Sequence, residues 1–305
     1  MELFTLWMAK GSETQVDKLF GELMEELREL HIDSLKVFID TETEQELVGL
    51  RCTWYETDTE LANKVRERAG RGIASYVLAE YEERIIKKMI INEYAYKIRD
   101  EISKIETYTL HILDQSEEEI GGHQARKRRK NQIALAFITY LEEFPEVNID
   151  GFIHFRLHAY AEELREVVEY AIDEYLMDKQ YQEFIALLKY FVYIQDAKIP
   201  VAHLMHKGEN DFILLNEDFE PIETKQVETF VVEMIDKDIN YEDMIVSTLI
   251  TVSPQKVFIH TREPEMQVIK TIKQIFDDRA TLCTLCGSCS PHLGDFRKEQ
   301  RSTLT

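Results

Sequence analysis

Proline and glycine are scarce in this chain, at 6 and 11 of 305 residues. Proline removes a backbone donor and glycine costs conformational entropy, so a chain poor in both favours long helices with short connections. That excludes long flexible linkers. Cysteine is scarcer still. Of the 4 present, three crowd between positions 283 and 289, which excludes a disulfide framework. Long hydrophobic runs are missing as well. The most apolar stretch, Phe184 to Ile194, carries Lys189 and falls far short of the roughly 20 residues a helix needs to cross a bilayer. The opening residues, Met1 to Trp7, lack the basic segment and cleavage site of a secretory signal. These absences predict a soluble cytoplasmic protein without a membrane span.

Positive charge is the remaining deficit. Against 58 acidic residues stand 36 basic ones, a formal net charge of -22. Such a field repels a duplex or an anionic membrane taken whole, so nucleic acid is disfavoured as a partner and proteins are expected instead. Apolar residues are plentiful, at 44% hydrophobic. That is enough for at least one large core, and the length predicts two or three structural units.

Periodicity divides the chain into four segments. Residues 1–57 read as a βαββ unit: a strand at Leu3–Met8, a helix capped by Ser12, and strands at Leu35–Ile39 and Glu46–Trp54 joined by an acidic turn, Asp40–Gln45. Residues 58–198 read as a helical bundle. Its first helix is capped by Asp58 and runs to Tyr108, with Gly70 and Gly72 bending it or allowing close packing. After Pro145, Asn148 or Asp150 can cap the next helix. Tyr181–Ile194 is apolar on nearly every side, which marks a central buried helix. Residues 199–285 read as a small α/β unit. It holds a hairpin (Val201–His206 and Asp211–Leu215), helices at Glu223–Asp236 and Tyr241–Val252, and a strand–helix–strand from Lys256 to Cys283 that suits a parallel pair. Residues 286–305 form a polar, cysteine-containing tail. The expected fold class is α+β, predominantly helical.

The sharpest chemical motif is Cys283-x-x-Cys286-x-x-Cys289-x-x-His292. Thiolates and an imidazole at every third position suit zinc, with Gly287 letting the backbone wrap. An iron–sulfur loop fits less well, because its fourth cysteine followed by proline is missing. Cys52 is distant in sequence. The bland account is a solvated tail with clustered thiols. A catalytic thiol would need an adjacent base, and none is visible.

Weaker candidates follow. His154 and His158 sit one helical turn apart, with Glu162 continuing the row, but no metalloprotease base accompanies them. The basic run Arg126, Lys127, Arg128, Arg129 and Lys130 is a candidate polar contact for phosphate. Pairing with this chain's own acidic groups is the preferred account, because cations at a helix start oppose its dipole. His203, His206 and His260 lie on or beside strands near Glu217 and Asp218. No P-loop, GxGxxG, GxSxG or kinase signature occurs, so no catalytic residues are assigned.

The stretch Gly151–Leu157 to Tyr160, continuing through Leu164–Tyr175, Tyr181–Phe184, Leu187–Val192 and the Val201–Leu215 hairpin, resembles the YtxC-like family. Phe155, Arg156, Leu157 and Tyr160 form its most recognisable part. The resemblance implies a cytoplasmic protein of spore-forming bacteria associated with sporulation, and it implies no activity. The leading expectation is a non-enzymatic interaction or scaffold protein. One alternative is a metal-binding enzyme or redox sensor using zinc or an iron–sulfur cluster at the cysteines, and another is a nucleic-acid binder through residues 126–130.

Overall fold

The computed structural model describes residues 2–10, 13–30, 37–44, 46–55, 58–115, 123–208, 211–222, 241–283, 286, 287 and 289. The fold is α+β and predominantly helical. It divides into two compact units, Met1–Met177 and Asp178–Thr305.

In the first unit, strands β1 (Glu2–Ala9), β2 (Val37–Glu44), β3 (Leu47–Trp54) and β4 (Glu146–Asn148) form a sheet in the order β2-β3-β1-β4. β1 is buried without interruption from Leu3 to Met8, as an interior strand covered on both faces should be. Helix α1 (Glu13–Arg28) sends Val16, Leu19, Leu23 and Leu27 into the same core. The acidic stretch read as a turn is strand instead: Asp40 to Glu44 pairs with Arg51 to Leu47. β2 is the sheet edge, where charged side chains reach solvent and discourage further pairing, and Glu42 meets Arg51 at 2.6 Å. The three residues of β4, parallel to β1, were not anticipated, because so short a strand has no readable period.

The single helix expected from Asp58 to Tyr108 is three: α2 (Thr59–Glu80), α3 (Glu82–Asn92) and α4 (Arg99–Gln115). Asp58 caps α2 through the backbone N–H groups of Glu60 and Leu61. The chain turns at Tyr81, and again before α4, where Ala95 takes a left-handed φ of 58°. Gly70 and Gly72 do not break α2. They are contact points: a Cβ on Gly70 would lie 2.8 Å from Ile138, and one on Gly72 3.0 Å from the Glu22 carbonyl. α5 (His123–Glu143) and α6 (Ile149–Arg156) complete the packing around this core, and α7 (His158–Ile194) adds Tyr160, Leu164 and Val168. Asn148 caps α6, accepting from the Gly151 N–H at 2.8 Å.

In the second unit, β5 (Ile199–Gly208), β6 (Asp211–Leu215), β7 (Pro254–His260) and β8 (Ala280–Cys283) form a sheet in the order β6-β5-β7-β8. β5 and β6 make the expected antiparallel hairpin, with Gly208 at φ 121° where a side chain would be strained. β5, β7 and β8 run parallel. Ala202, Leu204, Val257 and Ile259 face one way, under α8 (Tyr241–Val252), α9 (Gln267–Phe276) and Ile185 and Val192 of α7. The Tyr181–Ile194 segment is therefore not a central buried helix. It packs one face on this sheet layer and leaves Phe184, Leu187 and Tyr190 exposed. The helix expected at Glu223–Asp236 lies outside the described residues. No described helix is long and apolar enough to cross a membrane.

Candidate metal centre

Side chains alternate across a strand, so if Val257 and Ile259 face the helices, Phe258 and His260 must face the other way. Pairing aligns these alternate residues across the sheet. Met205 stands opposite His260, and His260 opposite Cys283; one step along, His203 stands opposite Phe258, and Phe258 opposite Thr281. The parallel register therefore delivers an imidazole beside the first cysteine of the motif. Cys286 and Cys289 return over this face, where Cys289 is fully buried against Met205 and Leu215. The ligand atoms of His260, Cys283, Cys286 and Cys289 all lie within 4.8 Å of one another.

The loop is held by its own sulfurs. The Cys286 N–H donates to Cys289 Sγ at 3.0 Å, and the Cys289 N–H donates to Cys286 Sγ at 3.4 Å. The Cys286 sulfur is 3.9 Å from His260 Nδ1, while His260 Nε2 is 3.0 Å from His203 Nδ1. A lone pair at Nδ1, facing the sulfurs, requires the His260 proton on Nε2, where it donates to His203. His203 is in turn fixed by stacking, with Phe219 at 4.2 Å and Phe258 at 5.4 Å. Phe219 reaches it from a left-handed turn, φ 61°, tied by Asn216, whose side-chain oxygen accepts from the Asp218 and Glu220 N–H groups.

Burial, then the neighbouring His203, pushes His260 down to about 4, and burial lowers His203 as well. Neutral imidazole is the ligating form. Burial, then hydrogen bonding with Cys286, raises the Cys283 thiol to about 11, and the nearby cysteines act in the same direction. A nucleophilic cysteine needs the opposite, a cation or dipole that lowers its pKa. Cysteine sulfur and neutral imidazole are the ligand types that a zinc ion takes.

His292, expected as the fourth ligand, lies outside the described residues, and His260 stands beside the three cysteines. Its signal was present in the sequence as the last residue of a strand expected to pair with the strand ending at Cys283. His206 does not join the cluster. It faces the opposite side of the sheet, stacked on Phe212 and 2.9 Å from the Thr261 hydroxyl. Glu217 and Asp218 are exposed in the Asn216 turn.

The other candidates lie in the first unit. Cys52 is buried in its core, and burial raises its thiol to about 12 against a smaller lowering by Arg66. His154 and His158 do not share a helix, because Leu157 (φ -94°, ψ 36°) separates α6 from α7. The basic run starts α5. Arg129 is buried on Glu82 at 3.1 Å, Lys130 meets Glu26 at 2.6 Å, and Arg128 pairs with Glu163. Arg126 and Lys127 are exposed. The groove beside Arg128 is lined by Glu162, Glu163 and Glu166, an unfavourable wall for phosphate. Tyr160 is buried and donates to Glu82 at 2.7 Å, and Leu157 is buried; Arg156 lies over the Tyr140 ring, and Phe155 is exposed.

The model of the YtxC-like family matches residues 69–281. The chain belongs to the YtxC-like family. A relative from Bacillus subtilis (strain 168), described as an uncharacterized protein YtxC, is 26% identical over 213 residues, covering 70% of this chain and 75% of the relative. No solved structure matches. The YtxC-like region includes His203 and His260 and stops just short of Cys283.

Proposed function

We propose that this YtxC-like chain is a non-enzymatic interaction protein whose second unit is built around one structural zinc ion, held by His260, Cys283, Cys286 and Cys289. The observation that carries this reading is the convergence of four ligand atoms within 4.8 Å. Zinc–sulfur bonds of about 2.3 Å at tetrahedral angles set ligand atoms roughly 3.5–3.8 Å apart, so small adjustments close the site. An iron–sulfur cluster spreads its ligands around several irons and fits a set this tight less well. Four protein ligands fill a tetrahedral ion and leave no position for substrate, which favours a structural role over a catalytic one. His203 acts as the outer partner that fixes the His260 tautomer.

The zinc would tie the end of β8 to β7, joining a sheet edge to a loop that has few apolar residues of its own. The acidic charge and helical body support a role in protein contacts. The cytoplasmic, sporulation-linked setting implied by the family resemblance belongs to this proposal as well. Metal analysis of untagged protein, purified with and without oxygen, tests it. One zinc per chain, lost in Cys286→Ser, is expected. A brown iron-containing sample would replace zinc by a cluster, and the absence of metal from both preparations would overturn the reading.

A further inference from the structure

Helix α7 within the second unit has two unlike faces. Ile185 and Val192, seven residues apart, are buried under the sheet layer, and Tyr181 and Leu188 pack beside them. The outward face carries Phe184, Leu187, Tyr190, Phe191 and Ile194, each between 50% and 59% exposed. Scattered exposed apolar residues need no explanation, but a contiguous patch on one helix face does. Phe184, Leu187, Phe191 and Ile194 follow the three-then-four spacing of a helix-pairing seam, and Gln180 extends it by one position. Lys189, on the opposite side of the helix from the seam, is tied to Asp277 at 2.6 Å and does not interrupt it.

We infer that this seam pairs two copies of the chain, with residues 180–194 of each helix packed antiparallel about a twofold axis. The spacing is self-complementary. Setting Phe184 against Leu187 of the second copy also sets Gln180 against Phe191, and symmetry repeats each layer, as a twofold interface requires. The area is of the right order. Aromatic and large aliphatic side chains bury up to roughly 200 Å² each, so five half-exposed ones supply about 500 Å² per copy towards the ~800 Å² of a standard interface. The adjoining groove, lined by Phe184 and Leu188 of α7 and by Val246 and Ile250 of α8, adds to it.

Charge separates this occupant from others. Each copy carries a net -22, so the two repel at long range while the seam itself is apolar. Salt screens that repulsion and tightens the pair, whereas it would weaken the docking of a basic partner. This inference is independent of the zinc site.

Sedimentation equilibrium of the full chain at 50 and 500 mM NaCl tests it. A monomer–dimer equilibrium at micromolar concentration is expected, tighter at the higher salt. Phe184→Glu combined with Leu187→Glu should raise the dissociation constant by about 100-fold or more, as for two central interface residues. Leu187→Gln combined with Phe191→Gln provides an uncharged second variant, and both should keep the parent circular dichroism because these side chains are half-exposed. A monomer at both salts, a dimer that the folded variants leave intact, or a dimer loosened by salt would overturn the inference.

Discussion

Glu82 is where buried polar chemistry concentrates in the first unit. Its carboxylate accepts from Arg129 at 3.1 Å and from the Tyr160 hydroxyl at 2.7 Å, and all three residues are buried. Removing one partner of such a network leaves another unsatisfied in a low dielectric, which costs more than the contact itself contributed. Glu82→Ala, which strands Arg129, is expected to destabilise the first unit by about 3–5 kcal/mol in urea titrations. Tyr160→Phe should cost about 1.5–3 kcal/mol, because the lost bond was to a charged group. Equal, small effects of the two substitutions would show that water reaches the pair. Cys52 offers a pH test. Its thiol titrates at 9.0 when unperturbed and at about 12 in the folded chain, owing to burial. Between these values the unfolded chain holds fewer protons, so stability falls as pH rises, and the contribution is complete only below pH 9. Cys52→Ala should therefore flatten the alkaline decline in the urea midpoint between pH 8 and 11; curves that stay parallel would contradict the assignment.

At the scale of elements, the glycines of α2 decide between two opposed effects. Alanine in place of a helical glycine ordinarily stabilises by about 1 kcal/mol through propensity. At Gly72, however, the new Cβ would meet backbone at 3.0 Å, the Glu22 carbonyl oxygen and Leu23 Cα, and backbone cannot swing aside as a side chain can. Overpacking of about 1–3 kcal/mol should win, so Gly72→Ala is expected to lower thermal stability. A rise would show that α1 and α2 can move apart. Which elements form was largely legible in the sequence, and where they lie was less so. The α7 segment 181–194 reads as buried because hydropathy records that a face is apolar, not whether the chain's own core covers it. β4 had too few residues for a period. The cysteine loop was legible because its ligands are neighbours in sequence. His260 joins through a parallel register between strands twenty residues apart, which alternation alone does not fix.

For the whole molecule, the zinc reading makes the two units respond differently to one reagent. The first unit's core is continuous from β1 to α7 and contains none of the cluster residues. On the sheet face away from the helices, Met205 and Leu215 pack with the cysteines in a small cluster. Structural zinc contributes on the order of 10 kcal/mol to small domains. A strong chelator should therefore lower the melting of the second unit and leave that of the first unchanged. Calorimetry with and without chelator would read this as one transition moved to lower temperature or lost while the other stays in place, whereas two transitions shifted alike would contradict it. His203→Ala should weaken zinc binding by about 10–100-fold without abolishing it, as expected for a residue that orients a ligand. The most direct measurement is the metal content of the untagged 305-residue chain, alongside Cys283→Ser and His260→Ala. The account predicts one zinc per chain in the parent and a reduced content in each variant. A metal-free parent, or zinc retained in full by both variants, would contradict it.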